Sequence, residues 1–186
     1  MKIRYKLHSA RTEMCINKKG DWIDLRSAED KVLEKGCYTL ISLGISMELP
    51  EGFEAIIAPR SSTFKTYGFI VPNSFGIIDS SYCGDEDVWR MTCLPFDRAV
   101  VKKGDRIAQF RIQPNQFATP WQKIKWLFTK KIEFVEVQHL GNESRGGFGS
   151  TGRRYYGDGM SGIFITGIVA GISYYPENLK GSEQEQ

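Results

Sequence analysis

Apolar and charged residues alternate at the start of the chain: Ile3, Tyr5 and Leu7 lie between Lys2, Arg4 and Lys6. A period of two puts the two sets on opposite faces of an extended segment, which predicts a half-buried β-strand. Similar short apolar runs recur. Asp24 sits between Ile23 and Leu25 in a second short strand. Residues 37–49, CYTLISLGISMEL, are rich in β-branched and aromatic side chains and stop at a Pro50-Glu51-Gly52 turn. Residues 53–58, 88–96, 106–112 and 132–137 carry the same strand character, while 11–20 predict a loop and 27–36 a charged turn. Two apolar runs, 69–71 and 73–78, flank a Pro-Asn-Ser turn and predict a hairpin.

Helical spacing is confined to two places. Residues 63–67 form a short helix that Gly68 can cap. In residues 118–131, Thr119 reads as an N-cap, Pro120 as the first helical position, and Gln122 as the partner that closes a capping box. Trp121, Ile124, Leu127 and Phe128 would share one face, which predicts packing against the β body. Lys123, Lys125, Lys130 and Lys131 make this piece basic, so a membrane-surface or protein-docking helix is the alternative. Short strands with turn signals every eight to twelve residues predict an all-β sandwich or barrel.

Length and charge narrow the classes. A chain of 186 residues fits one domain with a sizeable core. Its 25 basic and 22 acidic side chains leave a net charge of +3, which carries no general nucleic-acid footprint. Cys15, Cys37, Cys83 and Cys93 show no C-x-x-C spacing and read as free thiols. MKIRYKLHS has no signal-peptide pattern, so the expected location is cytoplasmic. His139 lacks a metal-spaced partner. Residues 160–175 contain no charged side chain, yet sixteen residues are short for a membrane span. They suit strands, a contact with a neighbouring subunit, or a membrane surface.

The chemistry concentrates in residues 58–86, APRSSTFKTYGFIVPNSFGIIDSSYCGDE. Arg60-Ser61-Ser62-Thr63 precedes the short helix, a place where backbone N–H groups and a guanidinium can meet an anion. The predicted hairpin can present backbone donors and acceptors to a flat base edge. Asp79 ends an apolar run, where a carboxylate is placed to take a proton from water. Tyr82 follows three residues later.

These residues, with Asp24-Leu25 in DWIDLRSA, Gly104-Asp105-Arg106-Ile107-Ala108-Gln109, and RGGFGSTG at 145–152, resemble the five ordered motifs of the trimeric dUTP diphosphatase (dUTPase) family. The resemblance covers about residues 20–152 and implies a jelly-roll-like β fold and hydrolysis of dUTP to dUMP and diphosphate. It makes residues 1–152 one domain, 118–131 a helical insertion, 145–152 a glycine-rich lid, and 153–186 an extra tail. Asp79 is implied as the general base. Arg60, Ser61, Ser62, Gln109 and Arg145 would neutralise the phosphates, joined by the lid residues Gly149 and Ser150. Asn73, Gly76, Ile77 and Ile78 would read the uracil edge, Tyr82 would lie against the deoxyribose, and Phe148 would stack on the base. The implied cofactor is Mg2+, with Asp24 acting on it through water, and the implied assembly is a homotrimer with shared sites. Ser81 stands where the family commonly carries a second acid. Two rival readings remain: a dCTP deaminase of the same fold, or a nucleotide-gated regulatory protein that docks through 118–131 or the tail.

Overall fold

The computed structural model describes residues 1–16, 20–129 and 131–147. In chain order the strands are β1 (Lys2–Leu7), β2 (Cys15–Ile16), β3 (Ile23–Arg26), β4 (Lys31–Leu33), β5 (Thr39–Ser42), β6 (Ile45–Glu48) and β7 (Phe53–Pro59). Helix α1 (Thr63–Tyr67) follows, then β8 (Phe69–Ile70), β9 (Gly76–Asp79), β10 (Arg90–Pro95), β11 (Ala99–Val101) and β12 (Arg106–Pro114). Helix α2 (Pro120–Leu127) and β13 (Glu133–Glu136) complete the described chain. The largest sheet runs β2-β3-β12-β7-β9, two others run β13-β1-β6 and β5-β10-β8, and β11 pairs with β4. This is the predicted all-β architecture with few short helices.

β12 is the spine of the large sheet, bonded antiparallel to β3 on one edge and β7 on the other. A register shift between Arg106 and Ala108 accompanies burial of the consecutive Ile107 and Ala108, which strict alternation would send to opposite faces. Phe110 meets Trp89 edge-on at 5.3 Å in the core, beside Leu25, Ile41 and Met47. The strand run 37–49 breaks at Gly44, whose φ of 64° suits glycine. A Cβ there would come within 2.8 Å of the Ala28 Cβ and 2.9 Å of the Thr12 Cγ2.

Three expectations need correction. Residues 11–20 and 27–36 hold the short strands β2 and β4, stabilised by pairing with β3 and with the distant β11. Segments of two or three residues show no periodicity of their own. The predicted hairpin does not form, because β8 pairs with β10 whereas β9 pairs with β7. The chain instead crosses between sheets at residues 71–75, where Ser74 takes a φ of 63° and its N–H donates to the Val71 carbonyl at 2.9 Å. The third correction concerns α2. Its capping box forms as expected, with the Thr119 and Gln122 side chains each bonded to the other residue's backbone N–H. The face that meets the body, however, is that of Gln122 and Trp126. Gln122 donates to the Glu51 carbonyl at 2.8 Å, and Trp126 packs on Phe53 at 5.5 Å. Trp121, Ile124, Leu127 and Phe128 point outward. Periodicity groups side chains onto a face without saying which neighbour that face meets.

α1 is held by Thr63 rather than by a serine cap. The buried Thr63 hydroxyl accepts the Arg60 N–H at 3.0 Å and donates to the Ile107 carbonyl at 2.8 Å, so the helix start is tied to β12. Gly68 closes the helix as predicted, donating its N–H to the Phe64 carbonyl with a φ of 64°.

Two carboxylates anchor the end of the described chain. Asp85 accepts the Leu140 N–H at 3.0 Å and an ion pair from Lys6 at 3.2 Å. The Leu140 hydrogen bond is the main reason its pKa is held down to about 2, assisted by Lys6 and opposed by burial. Asp87 is buried and accepts three backbone N–H groups: Gly84 at 2.9 Å, Arg145 at 3.0 Å and Gly146 at 3.1 Å. Asp87→Ala therefore strands three donors, one of them from a buried glycine. The expected loss of stability is on the order of 3 kcal/mol or more. Urea unfolding checks this, and the 145–146 amides should exchange with solvent faster than in the parent protein.

Candidate active site

Among the described residues, the predicted site residues fall into two charged clusters and one recess of mixed lining. At the end of β9, Asp79 accepts on Oδ1 the Ser81 N–H at 3.0 Å and the Ser81 hydroxyl, while Arg145 pairs with Oδ2. Partial burial pushes the Asp79 carboxyl up. The Ser81 hydrogen bonds and the Arg145 guanidinium outweigh it, and the net direction is down. Asp79 is thus ionised at neutral pH. Tyr82 is half-buried against the core and its hydroxyl donates to the Val88 carbonyl at 3.2 Å. Burial raises its pKa. Gly147 lies so close that an added Cβ would stand 3.0 Å from the Tyr82 ring, and Gly84 similarly meets the backbone of Ser144. These two glycines allow residues 144–147 to lie along Tyr82 and Asp79.

The second cluster is built on Asp24, a residue 5% exposed on β3. Its Oδ1 accepts Arg60 Nε at 2.8 Å and its Oδ2 accepts Arg106 Nη1 at 3.2 Å. Arg26, two residues along β3, donates instead to the Gly104 carbonyl at 2.7 Å. Arg60 Nη1 also lies 3.4 Å from the Ser62 hydroxyl, and Ser61 is exposed beside it. Gln109 is half-buried and donates its amide to the Pro59 carbonyl at 3.1 Å, one residue before Arg60. The cluster thus presents two guanidiniums whose orientation is set by one buried carboxylate.

Between the sheets lies a recess of about 120 Å³ lined by Asn73, Gly76, Ile77, Ile78 and Thr92. Asn73 accepts the Thr92 hydroxyl at 2.6 Å, which fixes its side chain. The stretch expected to read a base edge therefore does line a pocket, although as a crossover rather than a hairpin. A larger open cleft of about 550 Å³, bordered by Arg11, Glu13, Arg26 and Lys103, has mixed charge and none of the predicted residues.

The clusters stand apart. Asp79 is in register with Glu54 at the start of β7, whereas Arg60 follows Pro59 at its end. Six residues at about 3.4 Å each separate them by roughly 20 Å along the sheet. Phe148, Gly149 and Ser150 lie outside the described residues. Three participants were not singled out from sequence as site residues: Ser81, Arg106 and Asp87. Ser81 stands in the sequence reading only as a departure from an acid. Arg106 reaches Asp24 through the β3–β12 register, which has no local signature.

Among the described residues, no group of three or more His, Cys, Asp or Glu side chains is placed to hold a metal ion. Asp24 keeps part of its acceptor capacity, since a carboxylate offers about four lone-pair positions and two are taken by arginines. Such a donor set fits an ion bound mainly by phosphate oxygens and its own waters. Among the described residues no helix is long and apolar enough to cross a membrane.

Comparison with known proteins gives the family and the fold. The dUTPase family model matches residues 21–152. The chain is 45% identical over 154 residues to the SPbeta prophage-derived deoxyuridine 5'-triphosphate nucleotidohydrolase YosS of Bacillus subtilis, covering 83% of this chain and 99% of that protein. It is 35% identical over 131 residues to a deoxyuridine 5'-triphosphate nucleotidohydrolase of Solibacter usitatus, covering 70% and 80%. Its fold is similar to that of a mutant dUTPase from phage phi11 of S. aureus, with a TM-score of 0.55 at 20% identity over 63% of this chain and 92% of the other. With its predicted motifs in order along the sequence and a match across most of its length, the chain belongs to the trimeric dUTPase family.

Proposed function

We propose that Asp79 orients and deprotonates the water with which this dUTPase hydrolyses dUTP to dUMP and diphosphate, by attack on the α-phosphorus. The observation that carries the proposal is the state of Asp79: an ionised carboxylate at a strand end, aimed by Ser81 and countered by Arg145. A carboxylate held in this way is pre-oriented, so the water meets a fixed acceptor instead of a rotating one. Arg145, now on Asp79, would transfer to the phosphates when substrate arrives and leave Oδ2 open to water. The lid (145–152) would bring Phe148 over the base, with Gly149 and Ser150 offering backbone N–H groups to phosphate oxygens. The domain limits at 152 and the tail at 153–186 belong to the same proposal.

Arg60, Ser61, Ser62 and Gln109 would bind the phosphates, with Asp24 and Arg106 fixing the direction of the Arg60 fork. Magnesium fits this reading: it would be held by the phosphates and, through water, by Asp24. When bound it supplies charge neutralisation at the triphosphate. The phi11 dUTPase is described with a coordinated structural Mg(II) ion. Recognition of uracil would fall to Asn73, Gly76, Ile77 and Ile78. Cytosine inverts one donor and acceptor there and leaves buried groups unpaired, a penalty that can reach ~10⁴. Tyr82 would bar a 2′-hydroxyl by steric fit.

The roughly 20 Å between Asp79 and Arg60 along β7 is more than one compact triphosphate site within one subunit accommodates. A homotrimer in which each site takes Asp79 from one subunit and Arg60 from another resolves that separation. Free thiols at Cys37, Cys83 and Cys93 support a cytoplasmic location.

Diphosphate release from dUTP, dCTP, dTTP and UTP, with and without magnesium, tests the activity: release from dUTP alone is expected, and ammonia from dCTP would overturn it. Asp79→Asn is expected to abolish turnover while dUTP still binds, as read by calorimetry; retained turnover removes Asp79 from the base role. Ser81→Ala removes hydrogen bonding that favours the ionised form, so the Asp79 pKa rises. The acid limb of the kcat/KM profile then moves to higher pH, with activity recovered on the alkaline side.

A further inference from the structure

Among the described residues, the outward face of α2 has no partner. Phe117, Trp121, Leu127 and Phe128 are 80%, 74%, 79% and 79% exposed, and Ile124 lies among them. Four large side chains open to water on one short segment exceed the scattered exposure of a monomer surface. At 3.6 residues per turn, Gln122, Trp126 and Thr129 face the body, while Trp121, Ile124, Leu127 and Phe128 lie opposite. Lys123 and Lys125 occupy the two boundaries between these faces, and both are exposed. No Asp or Glu occurs between Asp105 and Glu133, a span that also contains Arg106, Arg111, Lys130 and Lys131.

We infer that α2 docks this protein on an anionic lipid surface, its aromatic and aliphatic face in the headgroup boundary and its lysines on the phosphates. Charge complementarity selects this occupant. An apolar stripe edged by lysines on both sides matches a flat anionic interface, because long lysine stems bury their methylenes while the ammonium reaches outward. Trp121 adds a ring suited to an interface that is apolar on one side and wet on the other. A second copy of the same face is the poorer partner, since it would bring lysine edge to lysine edge. The anchor at Gln122 and the Trp126–Phe53 contact hold the helix against the body, so the outward face is presented without any rearrangement. The surface is built from residues outside both charged clusters, so docking and hydrolysis are separable.

Flotation of the full chain tests this, using vesicles of equal parts phosphatidylglycerol and phosphatidylcholine against pure phosphatidylcholine, at low and high salt. The parent protein should float with the anionic vesicles only, and less at high salt. Each lysine near such a surface is worth about fivefold in affinity, so Lys123→Gln/Lys125→Gln should bind about 30-fold more weakly. Leu127→Ser/Phe128→Ser should lose binding, and both variants should retain dUTP turnover, which reports an intact fold. Absence of flotation by the parent overturns the inference. So does flotation of the variants equal to the parent, which would assign binding to another part of the chain. A smaller assembly for Leu127→Ser/Phe128→Ser in sedimentation also overturns it, because that face would then be a contact between subunits.

Discussion

Strand β7 is hydrogen-bonded along both edges, to β12 and to β9, and this double pairing sets where Asp79, Gln109 and Arg60 stand along the sheet. Glu54 faces Asp79 across one edge, and Ala58 faces Gln109 across the other. A slip of one residue would invert the facing of each strand, burying charge and exposing Ile57 and Phe110. Because the buried face of β7 ties this register to core packing, the distance between Asp79 and Arg60 cannot adjust locally. If a neighbouring subunit supplies the second half of each site, as proposed, the assembly belongs to the chemistry as well as to stability.

Three aspartates show how environment divides one side chain among different tasks. Asp79 is half-open, ionised and held at one oxygen by Ser81. Asp24 is buried and spans two guanidiniums, so its charge is spent on orienting cations. Asp87 is buried and accepts three backbone N–H groups, which fixes the chain at 145–146. Moving any one of these carboxylates into another's surroundings would change its role, since burial, partner charge and donor count together decide what it can accept. The Arg145 backbone is held by Asp87 while its side chain reaches Asp79, so two carboxylates fix the chain at this residue.

Helix α2 rests on a different balance. Its capping box and its Gln122–Glu51 bond are polar and local, and the apolar residues that usually fasten a helix to its protein are turned away. Trp126 on Phe53 supplies the apolar anchoring contact. A helix fixed mainly by its start and one edge leaves its opposite face open to something outside the fold.

Much was legible in the linear chain. The strand character of 2–7, 53–58 and 106–112, the Gly68 stop, the Thr119–Gln122 capping box and the ordered motifs through Arg60, Asp79 and Gln109 all depend on neighbours within a few residues. Local periodicity and capping are encoded where they act. The pairing of β8 with β10, the Asp24–Arg106 contact, the Asp87 anchor and the facing of α2 were decided only in three dimensions. Each joins residues far apart in the chain, and the energy that selects them is burial and hydrogen bonding across sheets, which no window of sequence contains.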